Sequence, residues 1–182
     1  MKLKLALILL AVSTLVVYAQ KSATIAPESL APYLPTPDKV VDEMLKLANL
    51  KAFETLYDLG SGDGRIVIAA AKKYKANAVG IELDDALAAS SALKLTDLGL
   101  DKMARIIHGD VMKQDYSSAN VITVYLWPEA NKKVAQLLDI QLKKGTRVIS
   151  HEFEMGDWKP TKTVTIDDDG TGRSRTLFLY IR

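Results

Sequence analysis

Cysteine is absent from the 182 residues, and histidine occurs only twice. The absence of cysteine excludes disulfide bonds, thiolate metal sites and cysteine nucleophiles. His108 and His151 have no third ligand at a matching spacing, so we expect no metal site. An excess of basic residues is lacking too: without Lys2 and Lys4, 22 basic residues stand against 22 acidic residues. This balance argues against a nucleic acid as partner.

Residues 1–19 differ in composition from the rest of the chain. Lys2 and Lys4 precede fifteen residues without a charge, LALILLAVSTLVVYA. This layout is typical of a signal peptide, since a membrane-spanning helix needs about 20 apolar residues. We interpret the segment as a signal peptide or a short membrane anchor. It predicts an exported protein, periplasmic or secreted, or one associated with a membrane through residues 1–19; a cytoplasmic location stays an alternative.

The rest of the chain predicts an arm followed by one domain. Residues 20–37 hold four of the six prolines, which favours an extended arm over a helix. Residues 38–182 have an ordinary globular composition and no internal repeat.

Apolar runs of strand length alternate with helical stripes in residues 38–182. Predicted strands cover residues 55–59, 78–81, 105–108, 121–126 and 146–150, and predicted helices cover residues 38–50, 65–74, 85–98 and 129–142. Such alternation predicts an α/β fold with a doubly wound, parallel sheet. The final segment, KTVTIDDDGTGRSRTLFLYIR, carries turn signals and no helix, so it predicts an antiparallel hairpin.

The stretch YDLGSGDGR, residues 57–65, places three glycines at alternate positions directly after a predicted strand. Glycines tolerate positive φ angles and leave no Cβ, so a ligand can approach the main chain closely. The dinucleotide pattern G-x-G-x-x-G would need its third glycine at position 65, which is Arg65. Asp58 and Asp63 would oppose a pyrophosphate and would suit a ligand that carries an ammonium group.

Two further carboxylates follow the next strands of the predicted sheet. Glu82 ends the second strand in AVGIELD, and Asp110 follows the third strand in IIHGD. At the carboxyl edge of the sheet, Glu82 can accept both hydroxyls of a ribose, and Asp110 can accept from an adenine amino group. The sequence therefore predicts a nucleoside site with no demand for phosphate.

Through YDLGSGDGR, GIELD and HGD, the chain resembles the class I S-adenosylmethionine-dependent methyltransferases. With YLPTP and LKKGTRVISHEFEMGDW added, it is similar, more narrowly, to the archaeal broad-specificity protein-lysine methyltransferases and their mitochondrial relatives, which trimethylate lysine. The resemblance implies a Rossmann-like, seven-stranded, mostly parallel sheet with a C-terminal antiparallel hairpin. It also implies S-adenosyl-L-methionine as cofactor and the lysine side chain of a protein as methyl acceptor.

The resemblance and the positions of the strand ends predict the site residues. Cofactor binding is expected of Pro35, Thr36, Asp58, Gly60, Ser61, Gly62, Asp63, Glu82, Asp110 and Val111. The catalytic candidates are Tyr33, Tyr125 and Glu152, and the candidates for substrate contact are Trp127, Phe153 and Trp158. Many methyltransferases of planar amines or glutamine carry Asn- or Asp-Pro-Pro-Tyr after strand four, where this chain has YLWP. That difference favours lysine, which an aromatic cage can hold.

Alternatives stay open at this point. The four aromatic candidates at and beyond position 125 could instead be core or interface residues. A small-molecule methyltransferase would usually need an additional lid domain, for which the chain leaves little room. A nucleoside-binding module without catalysis is the third possibility, and an export signal favours it because S-adenosylmethionine is made in the cytosol.

Overall fold

The computed structural model describes Leu30 and residues 33–182. The predicted leader, residues 1–19, and most of the predicted arm lie outside the described residues. Within the described part of the chain, no helix is both long and apolar enough to cross a membrane.

Helices and strands alternate along the domain as the sequence predicts. The helices are α1 (Asp38–Leu47), α2 (Arg65–Tyr74), α3 (Asp85–Asp97) and α4 (Pro128–Gln141), with a short 3-10 helix at Val111–Lys113. The strands are β1 (Thr55–Leu59), β2 (Asn77–Glu82), β3 (Ala104–His108), β4 (Val121–Val124), β5 (Arg147–His151), β6 (Lys162–Ile166) and β7 (Arg175–Ile181). The 3-10 helix was not predicted, and the four helices and β1 to β5 begin and end within three residues of their predicted bounds.

The seven strands form one sheet in the order β3-β2-β1-β4-β5-β7-β6. Strands β1 to β5 pair in parallel, whereas β7 runs antiparallel to both β5 and β6. The predicted fold class and the C-terminal hairpin are therefore confirmed. The strand order reverses between β1 and β4, and at such a point the loops that follow the two strands diverge and leave a crevice.

Apolar side chains cover both faces of the sheet. On one face, α1 and α2 pack on the strands through a cluster that includes Val40, Met44 and Val67. On the other face, α4 packs through a cluster that includes Val134 and Leu138. All four residues of β4 are buried, as expected for a central parallel strand covered on both sides. The helices cover the two faces of the sheet, so a ligand can approach at the carboxyl ends of the strands.

A glycine within β2 seats the glycine-rich loop on the sheet. A Cβ at Gly80 would lie 2.5 Å from Oγ of Ser61 and 2.7 Å from Cδ1 of Ile106. Ser61 therefore occupies the space that a side chain at position 80 would need.

Candidate functional site

A cavity of about 360 Å³ opens at the carboxyl ends of β1 and β2, beneath the end of the arm. Its volume lies within the range of small-molecule sites, which is about 300–1,000 Å³. Among the predicted site residues, those that line it are Tyr33, Pro35, Thr36, Asp58, Gly60, Gly62, Asp63, Glu82, Asp110, Val111 and Tyr125. The structure thus brings the arm, the glycine loop and the acidic strand ends together.

Glu82 braces the glycine loop. Its Oε2 accepts a hydrogen bond from the backbone N–H of Gly62 at 2.6 Å, and its Oε1 accepts from that of Asp84 at 2.9 Å. Gly62 has a φ of 53°, which is the left-handed region that favours glycine. A carboxylate has about four acceptor positions, so Glu82 keeps acceptor capacity for ribose hydroxyls beside these two bonds.

The arm lies directly on the glycine loop. A Cβ at Gly62 would come within 2.7 Å of the ring of Tyr33, so the missing side chain makes room for this tyrosine. Further along the arm, Thr36 is buried, and its Oγ1 lies 3.3 Å from Nδ1 of His151 at the end of β5. The arm is therefore fixed at two points across the cavity.

Arg65 ties the glycine loop to the arm. Its Nε and Nη2 donate to the two carboxylate oxygens of Asp63 at 2.9 and 2.8 Å, while its Nη1 donates to the backbone oxygen of Thr36 at 2.9 Å. The hydrogen bonds from Arg65 hold the pKa of Asp63 below its usual value. Arg65 was not among the predicted site residues, although it stands where the dinucleotide pattern has its third glycine.

Asp58 is buried at the reversal of strand order, with only 3% of its surface exposed. Burial raises the pKa of its carboxyl to about 7, although Thr123 opposes the shift by donating a hydrogen bond from Oγ1 to Oδ1 at 2.7 Å. Glu82 and Asp63 add to the rise through charge repulsion. A cationic group in the cavity would favour the ionised form of Asp58.

Asp110 and Val111 form the far wall of the cavity. Oδ1 of Asp110 caps the 3-10 helix by accepting from the backbone N–H of Met112 at 2.8 Å. The fully buried Tyr116 donates from its hydroxyl to the backbone oxygen of Val111 at 2.8 Å. These two contacts fix this wall of the cavity. The resemblance predicts that the adenine ring of the cofactor lies against it.

Tyr125 forms a wall between the first cavity and a second one. The second cavity measures about 460 Å³. Besides Tyr125, it is lined by residues of the arm, of β5, of β7 and of the connection between β6 and β7. The ring centroid of Tyr125 lies 4.1 Å from that of His151 and 6.4 Å from that of Phe153. Burial raises the pKa of the Tyr125 phenol, so the phenol is neutral at neutral pH.

Ser61 and Glu152 are predicted site residues that line neither of these cavities. Ser61 is buried beneath Gly80, and its Oγ has no hydrogen-bond partner within the described residues. Glu152 accepts from the backbone N–H of Thr176 at 2.8 Å, and its Oε2 lies 4.0 Å from Nη1 of Arg175. Glu152 therefore links the end of β5 to β7, and its catalytic role stays a prediction.

The three residues predicted to contact the substrate are placed in different surroundings. Phe153 stacks on Tyr125 without lining a cavity, and Trp127 is exposed at the start of α4. Trp158 is buried; its Nε1 donates to Asp139 at 3.0 Å, and the guanidinium of Arg182 lies 4.1 Å from its ring centroid. Trp158 thus packs as a core residue, because its loop folds back onto α4.

His151 and Arg175 contribute to the site although the sequence analysis gave them no role in it. His151 is fully buried, and burial together with Arg175 lowers the pKa of its imidazole to about 4, so the ring is neutral. Arg175 pairs with the buried Asp169 at 2.7 Å. Within the described residues, no cluster of three or more His, Asp or Glu side chains could hold a metal ion.

The sheet with its C-terminal hairpin, the glycine loop and the acidic strand ends define a class I S-adenosylmethionine-dependent methyltransferase. Asp58, Glu82 and Asp110 all line the cavity, where the sequence predicts an ammonium group, a ribose and an adenine beside them. The family model of the ANTKMT methyltransferase domain matches residues 58–162, and the chain belongs to this family.

Relatives and solved structures agree with this assignment. The chain is 38% identical over 151 residues to a protein-lysine N-methyltransferase of Saccharolobus islandicus, covering 82% of this chain and 92% of that protein. It is 31% identical over 152 residues to a lysine N-methyltransferase of Mus musculus that is named for a subunit of ATP synthase, covering 82% of this chain and 61% of that protein.

Among solved structures, an RNA methyltransferase from Salinibacter ruber in complex with S-adenosyl-L-homocysteine superposes with a TM-score of 0.75. Its sequence is 42% identical, and the match covers 81% of this chain and 93% of that one. The fold, the site and these comparisons make the chain an enzyme with S-adenosylmethionine as its cofactor.

Proposed function

We propose that this enzyme transfers methyl groups from S-adenosylmethionine to the side-chain amine of lysine in proteins. The observation that carries the proposal is the position of Tyr125, which lines both the cofactor cavity and the second cavity. An amine that approaches through the second cavity reaches the cofactor cavity at this side chain. The names of the relatives from Saccharolobus islandicus and Mus musculus support a lysine acceptor.

When bound, S-adenosylmethionine supplies a methyl group on a positively charged sulfur atom. The amine must then arrive neutral and in line with that group, because its lone pair forms the new bond. The neutral phenol of Tyr125 can accept a hydrogen bond from the amine N–H and so orient the lone pair. None of the described residues that line the second cavity is a carboxylate.

The arm excludes water from the point where the two cavities meet. Leu34 and Pro35 line both cavities, and Arg65 holds the backbone of the neighbouring Thr36 in place. Removal of water strengthens the electrostatic contacts of the reacting groups and prevents the amine from remaining solvated. The chain's own contribution is therefore orientation and desolvation.

RNA methylation is the second candidate, because the Salinibacter ruber protein is named an RNA methyltransferase. The charge of the chain argues against it, since the basic and acidic residues nearly balance. The sequence YLWP after β4 also differs from the Asn- or Asp-Pro-Pro-Tyr that many enzymes use to methylate planar amines. Protein lysine therefore remains the acceptor that the site supports best.

One labelling experiment separates the candidates. The enzyme and labelled S-adenosylmethionine are incubated in three parallel reactions, which contain a protein mixture, total RNA or a metabolite extract. The products are analysed by mass spectrometry. Label on lysine side chains supports the proposal, and label in RNA or only in metabolites contradicts it. Cofactor binding without label in any arm would indicate a binding module.

Gly62→Ala provides an inactive variant for this experiment, because its Cβ would meet the Tyr33 ring at 2.7 Å. Gly99→Ala is the matched control, since Gly99 also has a positive φ, of 65°, but has no atom within 4 Å of an added Cβ.

The location of the enzyme is a separate proposal. Residues 1–19 carry two lysines followed by fifteen uncharged residues, which supports export or membrane anchoring. Protein sequencing from the native host tests this: an N-terminus just after Ala19 indicates cleavage, and an intact segment in a membrane fraction indicates an anchor. Intact chain in the soluble cytoplasmic fraction would contradict both.

A further inference from the structure

The second cavity has a single cationic side chain at its rim without a partner in the described structure. We propose that this cavity receives the acceptor lysine and that Arg173 at its rim selects lysines flanked by acidic residues. The inference rests on the proposed lysine methylation and adds the class of sequence in which the lysine stands.

The shape of the second cavity suits a lysine side chain. Leu34, Pro35 and Pro37 supply apolar wall on the arm side, along which the four-carbon stem of a lysine can lie. Tyr125, which is half-buried, lines this cavity and the cofactor cavity alike. A lysine side chain that lies along the apolar wall can thus bring its amine to the phenol.

The charged residues that line the second cavity are both arginines, Arg173 and Arg175. Arg175 forms ion pairs within the protein. Its Nε lies 2.7 Å from Oδ2 of Asp169, and its Nη1 lies 4.0 Å from Oε2 of Glu152. Arg173 is exposed, and among the described residues it forms no ion pair within 4.0 Å. Its guanidinium is the charge that an incoming peptide meets.

The connection between β6 and β7 holds Arg173 in position. This connection covers residues 167–174 and is longer than the loops of about two to five residues that usually join hairpin strands. Asp169 within it is buried, and its Oδ1 accepts from both the backbone N–H and the hydroxyl of Thr171, at 2.8 and 2.6 Å.

Further hydrogen bonds complete the connection. The backbone N–H of Asp169 donates to the backbone oxygen of Arg173 at 2.8 Å. Oδ1 of Asp168 accepts from the N–H groups of Gly170 and Gly172 at 2.8 and 2.9 Å. A connection with this many internal bonds presents Arg173 from an ordered backbone, which costs less entropy on binding than a loose loop.

The charge at the rim determines which lysines approach favourably. A carboxylate next to the lysine can pair with the Arg173 guanidinium in the two-bonded geometry that arginine favours. A basic neighbour would meet a like charge there. The same positive charge also favours the neutral form of the acceptor amine, which is the form that reacts.

The test uses three synthetic peptides that carry one lysine with glutamate, glutamine or arginine on both sides. We expect kcat/KM to be highest for the glutamate peptide and lowest for the arginine peptide, with each step about two- to fivefold, the size of an exposed ion-pair contact. Arg173→Glu should reverse this order, while cofactor affinity measured by calorimetry stays at the wild-type value. Arg105→Glu, an exposed arginine on β3, should keep the wild-type order.

The outcomes separate the inference from the proposed function. Equal kcat/KM for all three peptides, or an unchanged order in Arg173→Glu, would overturn the role of Arg173 while lysine methylation stands. A complete absence of lysine methylation in the wild-type enzyme, with methylation of another acceptor, would overturn the proposed function first. Retained cofactor affinity shows that Arg173→Glu is folded, so a reversed order would not reflect misfolding.

Discussion

Thr123 on β4 donates a hydrogen bond at 2.7 Å to Asp58 on β1, across the point where the strand order of the sheet reverses. The pair is buried, and β1 and β4 are neighbours in the sheet. A carboxyl group in this position carries an energetic cost when it ionises, which the hydroxyl of Thr123 offsets only in part. Because of this cost, Asp58 is one of the groups that make the stability of the ligand-free enzyme depend on pH.

Asp58→Asn should remove a loss of stability that the ligand-free wild type undergoes as the pH rises. The folded-state pKa of Asp58, about 7, lies above its usual value of 3.8, so the native state keeps the proton that the unfolded chain loses. Its stabilising contribution is full below pH 3.8 and is lost as the pH rises to about 7. The unfolding free energy of the wild type should therefore fall relative to Asp58→Asn over this interval, by up to about 4 kcal/mol. Denaturant titrations at several pH values measure it, and a constant difference would contradict the prediction.

Glu82→Ala should weaken cofactor binding by about 1–3 kcal/mol. The substitution removes a charged acceptor for the ribose and also leaves the N–H groups of Gly62 and Asp84 without their bonds. Isothermal titration calorimetry with S-adenosylmethionine gives the affinity. Asp97→Ala, which removes an exposed carboxylate at the end of α3, is the control and should bind normally. Unchanged affinity in Glu82→Ala would remove Glu82 from the site.

Arg65→Gln should loosen the arm and weaken cofactor binding about fivefold, which corresponds to the loss of about one net hydrogen bond. The variant loses the paired bonds to Asp63 and the bond to the backbone of Thr36. Cleavage of residues 33–36 by a broad-specificity protease should become faster, as mass spectrometry of the fragments can measure. Lys73→Gln breaks only an exposed ion pair with Asp42 and should leave the arm protected. Equal protection in both variants would contradict the role given to Arg65.

Tyr125→Phe should lower kcat about tenfold and leave the dissociation constant of the cofactor within about twofold of the wild type. The phenylalanine retains the ring contacts with His151 and Phe153 but removes the hydroxyl that orients the amine. Single-turnover kinetics with a lysine peptide measures the chemical step. Tyr74→Phe on α2 provides a half-buried tyrosine control away from the cavities. Equal turnover in the wild type and Tyr125→Phe would make Tyr125 a packing residue.

The sequence predicts the sheet and the cavity floor because both depend on neighbours in the chain. Alternating apolar runs indicate parallel crossovers, and parallel strands bring their carboxyl ends to one edge. Asp58, Glu82 and Asp110 each stand at or directly after a strand, so the fold class alone places them beside one cavity. The glycine loop follows β1 for the same reason.

The parts that sequence patterns did not predict depend on contacts between distant segments. His151 meets Thr36 across 115 positions, and Arg175 reaches Asp169 and Glu152 through the hairpin that follows β5. Periodicity carries no information about such pairs. Trp158 illustrates the same limit, because an aromatic residue after β5 can turn either toward the cavity or, as here, onto α4.

The packing of Ser61 against Gly80 constrains how the family can diversify. Any side chain at position 80 would collide with Ser61, so a change there must be accompanied by a smaller residue or a shifted backbone at position 61. These two positions should therefore covary among homologues. The geometry of the cofactor loop is thus inherited together with a strand residue that lies outside the cavity, and attempts to re-engineer cofactor choice must treat the two as one unit.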